Sequence, residues 1–159
     1  MVNTKEFVEQ IKEELDNLGR LSNEVNILLS ESGEEKNTFE IRAAGSILHD
    51  FYCGIEKIFE RTAVTMNENV PAGLNWHTQL LYQMGKPVEG SRDNLISEKL
   101  IEKLKKYLRF RHLFRNIYGF ELDWERVEPL CIDLNNIWTD FKSEIEKFLL
   151  KLSEKNIDG

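Results

Sequence analysis

One spacing constrains this chain more than any other feature. From Thr4 to about Ser30 the apolar residues Phe7, Ile11, Leu15, Leu18, Leu21, Val25 and Leu28 recur at steps of three or four, which gathers them on one face of an α-helix. A second stripe runs Ile41, Ala44, Leu48, Phe51 with Tyr52, Ile55, Phe59, Ala63 and Met66. A third runs Ile96, Leu100, Leu104, Leu108, Leu113 and Ile117, and a fourth Val127, Leu130, Leu134, Ile137, Phe141, Ile145, Phe148 and Leu152. No period-2 stretch of useful length competes with them, so strands are not expected.

The punctuation agrees with the stripes. Asn3 with Glu6, and Asn37 with Glu40, are spaced as capping boxes at helix starts, while Asn75 and Asp123 are natural N-caps. Pro and Gly interrupt "NENVPAGLN" and "GKPVEGSRDN", which read as loops, as does the polar "ESGEEKN"; "YGFELD" reads as a turn. The expected helices therefore cover residues 4–30, 38–66, 76–84, 95–117 and 124–152. Rods of this length bury their stripes best as antiparallel neighbours. The expected fold is all-α: an antiparallel bundle of four long helices plus one short helix, with residues 1–159 forming a single domain.

Composition narrows the function. The net charge of −7 argues against a protein that coats nucleic acid over its whole surface. No run of 18 apolar residues and no basic-then-apolar leader is present, so no membrane association is expected and a cytoplasmic location follows. Cys53 and Cys131 stand alone inside helical patterns and read as buried free thiols in preference to a disulfide. With no CxxC pair and three histidines, no metal site and no cofactor are expected.

The charge is unevenly spread. Between positions 99 and 115 lie seven basic residues, Lys99, Lys103, Lys105, Lys106, Arg109, Arg111 and Arg115, against Glu102 alone. The lysines of this run read as a solvated face. The arginines border an apolar stripe, where they must bury their stems and find acceptors for their forks. Internal carboxylates could serve, and so could a phosphate held by parallel N–H donors.

Arg111, four residues, Asn116, one residue and Tyr118 resemble the R-x4-H-x-Y motif of HepT-like toxins, members of the HEPN superfamily of helical ribonucleases. His112 fills the polar position that often follows the motif arginine. The stretches "ILHDFYCGIEKIFERTA", "WHTQLLYQM" and "YGFELDWERV" are also similar to that family. The resemblance implies metal-independent RNA cleavage, in which the ribose 2′-hydroxyl attacks the adjacent phosphate, the arginine stabilises the charge and the histidine assists proton transfer. It also implies a homodimer whose two motifs share one cleft. The partner that the resemblance implies is a nucleotidyltransferase antitoxin that transfers AMP to the motif tyrosine, whose counterpart here is Tyr118.

The departure is Asn116, which stands where the family has histidine. Asn cannot titrate and can only orient groups by hydrogen bonding. The candidate catalytic residues are thus Arg111, Asn116 and His112, with Arg109 and Arg115 as binding residues. His112 points about 100° from Arg111 on a helix, so the two are not expected to share a face. His49 and His77 read as structural. Phe110, Phe114 and Phe120 either complete a wide core stripe or form a partner surface. Two functions stay open: an RNA-cleaving toxin, or a non-catalytic module that binds RNA, nucleotide or a nucleotidyltransferase through the same basic cleft.

Overall fold

A computed structural model describes residues 3–31 and 35–158. Five α-helices follow in order: α1 Thr4–Ser30, α2 Thr38–Thr65, α3 Trp76–Met84, α4 Glu98–Asn116 and α5 Trp124–Asp158. A 3-10 turn, Gly119–Glu121, joins α4 to α5. Among the described residues there is no strand; Val88 and Arg92 form an isolated bridge in the α3–α4 loop. Four long helices and one short one are the expected architecture. The middle of the "ESGEEKN" loop lies outside the described residues.

The caps explain most of the boundaries. Asn37 and Glu40 complete a reciprocal capping box. Asn3 accepts from the Glu6 N–H, the one half of the expected box that forms. Asn75 makes no side-chain cap hydrogen bond, contrary to expectation. Helix α4 begins at Glu98 and not near Leu95, because Ser97 accepts from the Leu100 N–H and is itself held by Glu144. Helix α5 runs past the expected Leu152, since the polar residues beyond it carry no stop signal.

Helix α2 is the hub, packing against every other element. Its Ala44, Leu48, Phe51, Tyr52, Ile55, Phe59 and Ala63 are all buried. The stripes of α1 and α5 are buried much as expected, with Ser22 added on α1, where its hydroxyl donates to Asn135 on α5. On α4 the buried set is shifted: Tyr107 and Phe110 join Leu100, Ile101 and Leu104, while Leu108 and Leu113 are half-buried. Tyr107 can lie inside because its hydroxyl donates to the Leu130 carbonyl at 2.7 Å. Gly45 lets α4 approach α2 closely: a Cβ there would stand 2.6 Å from Leu122 and 2.9 Å from Phe114. That close approach brings the arginine-bearing half of α4 against the middle of α2.

Candidate functional site

Three polar residues stand one turn apart on α2: Tyr52, Glu56 and Glu60. Residues four apart share a helical face, and this face looks toward α3 and α4. Glu56 is buried, and its Oε2 accepts from His77 Nδ1 of α3 at 2.7 Å. The His77 ring is held from one side by Trp76, with ring centroids 3.6 Å apart. Arg111 approaches the same group from α4, close enough for its charge to act on Tyr52 and Glu60.

The electrostatics of this cluster are unbalanced. Burial, with the negative charge of Glu56, pushes the Tyr52 hydroxyl above its ordinary range, and Arg111 pulls against that rise. Burial and repulsion from Glu56 likewise push the Glu60 carboxyl up, against the pull of His77 and Arg111. Among the described residues two buried side-chain polar atoms lack a hydrogen-bond partner, Tyr52 Oη and Arg111 Nε. Both belong to this cluster. Leaving such a group unpaired costs about 1–3 kcal/mol, so two in one place set this cluster apart from the rest of the core. No ion pair among the described residues involves Arg111.

Beside the cluster opens a cavity of about 670 Å³ between α3 and α4. Leu74, Asn75, His77, Thr78 and Tyr82 form one wall; Lys105, Leu108, Arg109, Arg111, His112 and Leu113 form the other. Three permanent cations and two imidazoles line it, and no carboxylate does. Apolar stems with fixed cationic heads in a concave site suit an anion whose remainder is planar or apolar. A groove of about 590 Å³ between α1 and α5 offers nothing comparable, having neither histidine nor arginine in its lining.

The sequence-predicted residues divide into two groups. Arg109, Arg111 and His112 line the cavity together. His112 therefore shares a cavity wall with Arg111 despite their angular offset, because adjacent residues on a helix rim can flank one concavity. Arg115, Asn116 and Tyr118 are exposed beyond the cavity. Asn116 Nδ2 donates to the His112 carbonyl at 2.6 Å, turning the amide onto its own helix. The Tyr118 ring stacks on Phe120 with centroids 5.3 Å apart, and both rings are about two-thirds exposed. Of the three phenylalanines, Phe110 is buried, Phe114 is half-buried against His49, and Phe120 is outside.

Other expectations fall as follows. His49 contacts Asp50 and Cys53 away from the cavity. Cys53 and Cys131 are both free thiols, but only Cys131 is buried as expected while Cys53 is half-buried, and burial raises the Cys131 thiol to about 12. Lys103 pairs with Asp140 and Lys105 with Glu102, as a solvated face would. Among the described residues no helix is long and apolar enough to cross a membrane. Tyr52, Glu56 and the pairing of His77 were missed in the sequence. The available signal was a carboxylate at 56, inside an otherwise apolar stripe.

A family model described as HepT-like protein matches residues 43–152, more than two thirds of the chain. Searches of curated proteins and of solved structures each gave no match.

Proposed function

The chain belongs to the HepT-like family, and on that premise we propose that it is an RNA-cleaving toxin of a two-gene toxin–antitoxin pair, acting without a metal ion. The observation that carries this reading is Arg111: half-buried, its Nε without a partner, free of any ion pair with a described carboxylate, and facing a cavity that only cations and imidazoles charge. A guanidinium so placed is a ready donor to the oxygens of a phosphodiester. Its fork matches two phosphate oxygens and strengthens its hold as charge builds on them in the transition state. Arg109 extends the positive wall along which a neighbouring phosphate would lie, while Lys105 beside it is paired with Glu102. His112 stands on that wall beside Arg111.

The exposed, stacked pair of Tyr118 and Phe120 supports a partner surface next to this site. In this reading two copies of the chain meet there, and a nucleotidyltransferase antitoxin reaches the exposed Tyr118 hydroxyl. AMP on Tyr118 would add bulk and negative charge at the end of α4, competing with RNA for the same cations.

A second reading is favoured by Asn116, which cannot titrate and is turned onto its own helix. In it the chain binds RNA or nucleotide in the same cavity without cleaving. One experiment separates the two. Purified protein is incubated with RNA in EDTA, and both binding and cleavage are measured for the wild type and Arg111→Ala. Cleavage by the wild type that Arg111→Ala abolishes supports the toxin. Binding lost in Arg111→Ala, with no cleavage in either, supports the binding module. RNA binding that Arg111→Ala leaves unchanged removes the basis of both.

A further inference from the structure

We propose that His77 is the proton-transfer residue of this site, held in one tautomer by Glu56, and that it supplies the chemistry Asn116 cannot. This assignment rests on the RNA-cleavage reading and specifies which side chain makes that reaction possible.

The argument begins at the hydrogen bond. Glu56 is a buried carboxylate, so its Oε2 accepts and His77 Nδ1–H donates, at 2.7 Å. That fixes the proton on Nδ1 and leaves the lone pair on Nε2. A carboxylate in this position also stabilises the imidazolium once it forms. Stacking against Trp76 limits rotation of the ring. His77 lines the cavity, on the wall opposite Arg111 and His112. The site thus holds an oriented base on α3 facing a charge stabiliser on α4, with room for a phosphodiester between them. A purely structural histidine–carboxylate pair would have no need of an open cavity walled by Arg109 and Arg111, nor of two unpaired polar atoms next to it.

The step balances without any co-reactant. His77 Nε2 takes the proton from the ribose 2′-hydroxyl as the O2′–P bond forms. The P–O5′ bond breaks, and the imidazolium returns the proton, directly or through water, to the departing O5′. The products are a 2′,3′-cyclic phosphate and a 5′-hydroxyl, and Arg111 holds the phosphorane charge throughout. Glu56 acts through His77 and is a positioning residue.

The test compares wild type, His77→Ala, Glu56→Gln and Arg111→Ala on one RNA in EDTA, with thermal unfolding of each variant recorded alongside and free imidazole added in parallel. Loss of an acid/base group typically costs about 10²- to 10⁴-fold in rate. The expected results are such a loss in His77→Ala, recovery of cleavage in that variant when imidazole is added, a smaller loss in Glu56→Gln, and no recovery by imidazole in Glu56→Gln or Arg111→Ala. A structural role for His77 would not give rescue by a free base. Cleavage that persists in His77→Ala but disappears in Arg111→Ala overturns the assignment and leaves the function standing. Loss in His77→Ala without rescue, in a variant that unfolds as the wild type does, also overturns it. A wild type that does not cleave overturns both together.

Discussion

Arg92 and Arg111 are both drawn into the molecule, and they are satisfied in opposite ways. Arg92, in the loop between α3 and α4, is almost wholly buried, and its Nε and Nη2 donate to both oxygens of Glu68 at 2.6 and 2.8 Å. Its other donors reach the carbonyls of Lys86, Asp93 and Gln83. Burial alone would push the Glu68 carboxyl up, but hydrogen bonds from Arg92 and Gln83 and the Arg92 charge outweigh it and hold Glu68 below its ordinary range. Arg111 has a buried Nε with no partner and faces an open cavity. The two buried tyrosines repeat the contrast: Tyr107 donates to Leu130, whereas Tyr52 beside Arg111 has no acceptor. Where polar groups are inside to hold the fold, every donor is used. Around Arg111 two polar atoms, its own Nε and Tyr52 Oη, are buried without a partner among the described residues.

Four predictions break or sharpen this contrast. The largest effect is on stability and belongs to Arg92. Arg92→Ala removes the main partner of the partly buried Glu68 and should cost about 3 kcal/mol in urea denaturation, while Arg111→Ala should leave the unfolding midpoint close to that of the wild type. The second effect is the mirror image. Arg111→Ala should lower RNA cleavage about 10²- to 10³-fold, the loss typical of removing one donor to a developing oxyanion. Third comes pH. Glu68 is held low in the folded state, so its stabilising contribution is complete above its unfolded value and is lost as the pH falls through its folded value. Glu60 is raised, so its contribution has the opposite sense: it is present at low pH and lost as the pH rises through its folded value. Glu68→Gln should therefore weaken the acid dependence of stability and destabilise at neutral pH, and Glu60→Gln should slightly stabilise at neutral pH, both read from denaturation curves across the acid range. The smallest effect is at Asn116, which is exposed and bonded to its own helix. Asn116→His should change stability by no more than about 0.5 kcal/mol and leave the cleavage rate nearly unaltered. A large gain in rate would move proton transfer from His77 to the end of α4.

The fold was far more legible in the sequence than the site, and the reason is range. A stripe such as Phe7, Ile11, Leu15 and Leu18, or a box such as Asn37 with Glu40, is a local pattern whose meaning survives without knowing the neighbours. Small errors arose where tertiary contacts set the boundary, as at Ser97, held by Glu144 from α5, or where a hydroxyl found a distant acceptor, as at Tyr107. Arg111 was legible because a short motif surrounds it. Its surroundings were not: Glu56 and His77 lie 21 residues apart on different helices, and Glu68 and Arg92 lie 24 apart across two loops and a helix. Nothing in "GSRDN" tells the structural Arg92 from the cavity-facing Arg111. The difference appears only when the partners of each guanidinium are in place.

The contrast between the two arginines is tested most directly by following their Nε–H resonances by 1H–15N NMR as an RNA oligonucleotide carrying 2′-O-methyl groups, which cannot attack, is added. The Arg111 resonance should shift and become protected from solvent exchange, while that of Arg92 stays where it is. An Arg111 signal that does not move while the RNA binds, or an Arg92 signal that moves as far, would contradict the assignment of Arg111 to the phosphate.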